Sequence, residues 1–135
     1  MLEQLRILLV EDHPFQLLAT QCLLRNYGYH DLALAENAEQ AMRLMTQTDV
    51  PFDILLCDQC LPDLPGLELI EIANRRGFIR SAILLSGLPV NELEHLMAQA
   101  SRRNFALLGY LSKPLSHLEL NELIRQSRLT RSTEK

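Results

Sequence analysis

The chain is predicted to be an α/β protein: a doubly wound parallel sheet of five strands with helices on both faces. Three observations predict this. Five apolar runs alternate with five segments of helical periodicity, which is the order of a repeated strand-helix unit. Runs such as Ile54-Leu55-Leu56 and Ile83-Leu84-Leu85 have no polar alternation, so both faces of the sheet are expected to be covered. With 135 residues, 47% of them apolar and 22% charged, the chain suits one core and one domain.

Leu5 to Glu11 reads as the first strand. A helix follows with Pro14 in its first turn, apolar residues at 15, 18, 19, 22 and 23 in the 3.6 period, and Gly28 just beyond its end. Leu32 to Ala35 is the second strand, and Asn37 with Gln40 forms a capping-box-like start for a second helix with Ala38, Ala41, Met42 and Met45 inward. Asp53 to Asp58 is the third strand, and Leu67 to Arg75 a helix after Pro65-Gly66. Ser81 to Ser86 is the fourth strand; Asn91 with Glu94 is expected to cap a helix with Leu93, Leu96, Met97 and Ala100 along one face. Leu107 to Ser112 is the fifth strand, and Ser116 with Glu119 caps a last helix carrying Leu120, Leu123 and Ile124. Beyond Arg128 the polar Thr130 to Lys135 shows no period. Residues 129–135 are therefore expected to be a tail or severed linker after a domain of residues 1–128. There is no internal repeat or low-complexity tract.

Right-handed crossovers leave few ways to wind such a chain. The flavodoxin-like strand order 2-1-3-4-5 is the natural one, and it sets the ends of the first and third strands side by side. Ligands bind at such strand ends. Glu11 and Asp12 close the first apolar run, Asp58 closes the third before the Leu61-Pro62 turn, and Lys113 closes the fifth. Three carboxylates gathered there would repel by roughly 4 kcal/mol per pair at ~4 Å and an effective dielectric of 20. A divalent cation together with the Lys113 ammonium would cancel their charge. Hard cations such as Mg²⁺ favour oxygen ligands of this kind, and the balance suits a phosphoryl group. Ser86 ends the fourth strand beside Gly87, where a hydroxyl could donate to a phosphoryl oxygen. Lys113 precedes Pro114 and is biased toward extended backbone.

The formal net charge of -4 and pI near 5.5 argue against nucleic acid or an anionic membrane as main partner. No apolar stretch approaches the roughly 20 residues that span a bilayer, and the N-terminus does not read as a signal sequence. A cytoplasmic protein is expected. Three cysteines, Cys22, Cys57 and Cys60, follow no disulfide-scaffold spacing. Cys57-x-x-Cys60 is followed by Leu61-Pro62 rather than by a helix start, so it reads as a buried strand thiol and a loop residue, not a redox pair. His13, His30, His95 and His117 show no ligand pairing and suit surface or capping roles.

At these residues the chain resembles the receiver domain of two-component response regulators, the fold of the chemotaxis response regulator. The resemblance rests on Glu11-Asp12, Asp58 with Leu61-Pro62 and Gly66 behind it, Ser86-Gly87, and Lys113-Pro114 with Tyr110 three residues before the lysine. It covers Leu5 to about Arg128. It implies Asp58 as phosphoacceptor, and Mg²⁺ held by Glu11, Asp12, Asp58 and the backbone carbonyl of Cys60. It further implies Ser86 and Lys113 on phosphoryl oxygens, a cis Lys113-Pro114 bond, and Tyr110 as a switching aromatic. The implied partners are a sensor histidine kinase or phosphotransfer protein as phosphodonor, and an output domain or partner controlled through the fourth helix, fifth strand and fifth helix. That face also offers a route to a homodimer. The chain departs from the pattern at Cys60, and in extra length around Ala98 to Phe105. The string Glu-Asp-His-Pro-Phe-Gln at 11 to 16 is similar to receivers fused to cyclic-di-GMP phosphodiesterase domains. Two other classes compete: a receiver-like interaction module that does not use phosphate, and a metal-dependent phosphohydrolase with an aspartyl nucleophile. The second would want a carboxylate two residues after Asp58, where Cys60 stands.

Overall fold

The computed structural model describes residues 4–103, 107–113 and 115–133. Strands and helices alternate as β1 (Ile7–Val10), α1 (Pro14–Asn26), β2 (Leu32–Ala35), α2 (Ala38–Thr46), β3 (Phe52–Asp58), α3 (Gly66–Arg75), β4 (Ile79–Ser86), α4 (Val90–Arg103), β5 (Leu107–Ser112) and α5 (His117–Thr133). The strands form one parallel sheet in the order β2-β1-β3-β4-β5. This is the flavodoxin-like winding expected from the sequence. Register sets Val10 beside Cys57 and Asp58 beside Leu85, so β1, β3 and β4 finish at nearly the same level.

Side chains alternate across a strand, and here each face has its own core. Leu8, Val10, Leu55, Cys57, Ala82 and Leu84 pack with Ala38, Ala41 and Met45 of α2, Leu69, Ile70 and Ala73 of α3, and Leu93 of α4. Ile7, Leu9, Ile54, Leu56, Ile83 and Leu85 pack on the other face with Leu24 of α1 and Leu120 and Ile124 of α5. Burying a side chain of this kind is worth about 1.5–3 kcal/mol, and twelve large side chains among the described residues are all but fully enclosed.

Several local expectations need correction. In α1 the residues read as its inward stripe lie largely outside: Phe15 is 75% and Leu18 60% exposed, and Ala19 and Cys22 are exposed as well. Leu24 is the fully buried residue of the helix, with Leu17 and Leu23 partly covered. Because α1 is apolar on more than one side, the period alone did not say which side meets the sheet. Asn91 does not cap α4; the helix opens earlier, with Pro89 O accepting from Glu92 N and Leu93 N at 3.1 Å. β1 is shorter than expected, although Glu11 N still donates to Ala35 O at 3.0 Å. β3 and β4 begin earlier, at Phe52 and Ile79, which pair with each other. α5 continues past Arg128 to Thr133, where the apolar period had stopped. Residues 104–106, within the region of extra length, and Pro114, at which the cis bond is implied, lie outside the described residues.

Candidate functional site

The chain turns at the ends of β1, β3 and β5 to bring four charged side chains together. Glu11 leaves β1 into the sheet's rim and is 1% exposed; Asp58, the last residue of β3, is 5% exposed. Asp12 is exposed beside them. One carboxylate oxygen from each of Glu11, Asp12 and Asp58 lies within 4.8 Å of the others. Lys113 reaches in from the end of β5, with Nζ 2.7 Å from Glu11 Oε1 and 3.1 Å from Asp58 Oδ2.

Backbone groups and packing hold these side chains. Asp58 Oδ1 accepts from Cys60 N at 3.2 Å, and Glu11 Oε2 accepts from His13 N at 3.2 Å. The loop after β3 is tied down at both ends: Gln59 Oε1 accepts from Leu67 N, and Asp63 accepts from Ala38 N and Glu39 N at 2.9 and 3.0 Å. Gly66 opens α3 against the rim of β3. A Cβ there would lie 2.2 Å from the Asp58 carbonyl oxygen, so no side chain fits without moving that backbone.

Electrostatics follow from burial. Burial pushes the Glu11 carboxyl above its ordinary value; its hydrogen bonds to Lys113 and His13 pull it back only in part, and Asp58 adds to the rise. Burial alone would lower the Lys113 ammonium, but the Glu11 hydrogen bond and the nearby Asp58 charge leave it raised. Burial likewise raises the Cys57 thiol, with the Asp58 and Glu11 charges adding to it. Cys57 is fully enclosed and Cys60 exposed, the arrangement read from the sequence.

The remaining candidates stand around this cluster. Ser86 ends β4 one residue past Leu85, the register partner of Asp58, and is 1% exposed; its Oγ accepts from Leu88 N at 2.9 Å. The hydroxyl proton stays available to donate. Tyr110 is half-buried on β5 and lines a cavity of about 570 Å³ with Val90, Leu118, Glu119 and Leu123, between β5 and α5. It is not part of the charged cluster. Cys60 is exposed in the loop after β3, and its amide rather than its thiol touches Asp58. Sequence reasoning missed Gln16, whose Oε1 accepts from Lys113 Nζ at 2.9 Å, and the loop anchors Gln59 and Asp63. Neither a period nor a charge pattern marks them; only the fold brings them to their partners.

The family model for the response regulator receiver domain matches residues 7–125. The chain belongs to this family. The receiver domain is similar to a two-component response regulator of rice, Oryza sativa subsp. japonica (ORR41), at 28% identity over 130 residues, covering 94% of this chain and 97% of the rice protein. It is also 33% identical over 125 residues to the sensor histidine kinase GacS of Pseudomonas protegens, where the match covers 88% of this chain and 13% of the kinase. Among solved structures, a CheY-like receiver from Methanospirillum hungatei matches with a TM-score of 0.75 at 26% identity, over 98% of this chain and 100% of that one. The signal receiver domain of an HD domain-containing protein from Pseudomonas fluorescens matches with a TM-score of 0.74 at 29% identity, over 97% and 99% of the two chains. No helix among the described residues is long and apolar enough to cross a membrane.

Proposed function

We propose that this receiver domain accepts a phosphoryl group on Asp58 from the phosphohistidine of a sensor kinase or phosphotransfer protein. One observation carries the reading: the Asp58 carboxylate, 5% exposed, meets the carboxylates of Glu11 and Asp12 within 4.8 Å while Lys113 Nζ lies 3.1 Å from its Oδ2. Three carboxylates so close, two of them buried, are costly without positive charge, and Lys113 supplies only part of it. The donor set is all oxygen, which fits a hard dication. Glu11, Asp12 and Asp58 would hold Mg²⁺, with the Cys60 carbonyl as a further ligand, and the ion would supply charge neutralisation for the transferring phosphoryl group.

In the transfer, a carboxylate oxygen of Asp58 attacks phosphorus in line, and the phosphorus–nitrogen bond of the donor breaks with its electron pair leaving on the imidazole. Most of the acceleration in such a reaction comes from positioning and electrostatics. The Cys60 amide holds the other oxygen of Asp58, which orients the carboxylate for attack. Lys113 moves a hydrogen bond from the carboxylate to a phosphoryl oxygen. The product is an acyl phosphate with charge of roughly minus 1.5 to minus 2. Ser86 donates its hydroxyl proton to it, and the space Ser86 vacates admits Tyr110 from its half-buried position. One phosphate would thereby bias two packings of α4, β5 and α5. That surface exposes Val90 at 58% and Leu118 at 83%, as an output or self-association face would. This reading makes the protein a cytoplasmic switch rather than a turnover enzyme.

Acetyl phosphate with Mg²⁺, followed by intact mass measurement, tests it. One added phosphoryl group per chain is expected, abolished by Asp58→Asn. A chain that neither gains mass nor binds Mg²⁺ would be an interaction module instead.

A further inference from the structure

Lys113 has a partner that phosphoryl transfer, as described, does not use. An ammonium carries three N–H donors, and three acceptors surround Nζ: Glu11 Oε1 at 2.7 Å, Gln16 Oε1 at 2.9 Å and Asp58 Oδ2 at 3.1 Å. All three donors are committed. The acceptors differ in kind. Glu11 is a buried carboxylate, Asp58 is the group to be modified, and Gln16 is a neutral amide on the exposed first turn of α1.

We propose that Gln16 is a positioning residue for Lys113, which together with Glu11 fixes two of the three ammonium donors so that the third stays aimed at Asp58. Gln16 is itself well placed to act as a post. Pro14 pre-sets the first turn of α1, and the Gln16 backbone N–H donates to His13 Nδ1 at 3.4 Å. The side chain spans from α1 to the end of β5, a separation of 97 residues in sequence. Gln16 and Lys113 together line a cavity of about 290 Å³ with Ala19, Thr20, Leu23 and Leu115. Without Gln16, the ammonium keeps two anionic partners on one side and is free to turn about Glu11. A donor that must follow charge from Asp58 Oδ2 onto a phosphoryl oxygen then starts from a spread of directions, and such loss of aim slows positioning-dependent chemistry. Because Gln16 is neutral, it adds restraint without pulling Lys113 away from the anions.

This role in transfer rests on Asp58 being the phosphoacceptor, whereas the resting contact does not, and the test reads the two separately. In ¹⁵N-resolved NMR of metal-free protein, the Lys113 ammonium should give a protected signal in the wild type. It should be lost in Gln16→Leu, which keeps bulk without an acceptor, and return in Gln16→Glu, which keeps an oxygen at the same reach. With acetyl phosphate and Mg²⁺, Gln16→Leu should be phosphorylated about tenfold more slowly, the scale of one hydrogen bond to an ionised group, with an unchanged melting temperature. Gln16→Glu should recover part of the rate. An unchanged Lys113 signal in Gln16→Leu, or an unchanged rate in a protein that is phosphorylated, overturns the proposal. A wild-type protein that takes no phosphoryl group overturns the reading of Asp58, and the Lys113 signal still decides for or against Gln16.

Discussion

Helices α1 and α2 both begin at the functional end of the sheet, yet they are held in opposite ways. Of the apolar stripe its period announces, α2 buries Ala38, Ala41 and Met45 and partly covers Met42, and its first turn is closed by Gln40 N donating to Asn37 Oδ1 at 2.8 Å and by the Asp63 carboxylate. α1 turns Phe15 and Leu18 to solvent, buries Leu24, and has His13 as its cap at 3.4 Å. The better-anchored helix braces the loop after Asp58. The looser one presents Gln16 to Lys113. The loop after the aspartate is thus tied to α2 by hydrogen bonds, while an exposed side chain of α1 contacts the lysine.

The largest test of this contrast lies within α1 itself. Leu24→Ala should cost about 2–5 kcal/mol, as for other enclosed leucines, whereas Leu18→Ala should stay within about 0.5 kcal/mol, as surface changes do. Urea unfolding measures both, and comparable losses would mean that the wrong face has been read as buried. A smaller effect separates the two caps. Asn37→Ala should lose about 1 kcal/mol, and His13→Ala clearly less, since its hydrogen bond is long. Equal losses would remove the distinction.

The smallest effect is one of pH, and its sign differs between the two helix starts. Asp63 has its carboxyl held below the ordinary 3.8, chiefly by the hydrogen bond from the Ala38 amide, which with that from Glu39 outweighs the opposing effect of burial, so its contribution is present above that pH and is lost as pH falls further. Glu11 is raised above 4.5 by burial, so in metal-free protein its contribution is greatest below 4.5 and is lost as pH rises through its folded-state value. Thermal melting of metal-free protein should therefore improve as pH falls from neutral toward 4.5, and Glu11→Gln should flatten that rise. Asp63→Asn should instead soften the loss seen below 3.8. A rise that survives Glu11→Gln would place its origin elsewhere.

Much of the fold was legible because each level of the sequence agreed with the next. The uninterrupted runs at Ile54-Leu55-Leu56 and Ile83-Leu84-Leu85 became central strands enclosed on both faces, and β2 and β5 match the expected Leu32–Ala35 and Leu107–Ser112. The convergence of Glu11, Asp12, Asp58 and Lys113 was legible for a related reason. Each ends a strand pattern, and the winding order sets those ends together. The start of α4 was not legible. Asn91 has the chemistry of a cap, but the Pro89 carbonyl already serves the first amides.

Apolar periodicity, chain length and the position of charges at strand ends determined by themselves that a five-stranded parallel sheet would carry an acidic cluster faced by one lysine, because those signals are local and repeat with the geometry of strand and helix. Which side of α1 meets the sheet, that Gln16 supplies the third acceptor for Lys113, and that Asp63 braces α2 across 25 residues were decided only in three dimensions. These are contacts between distant segments, and their energies depend on distance and burial that no window of sequence contains.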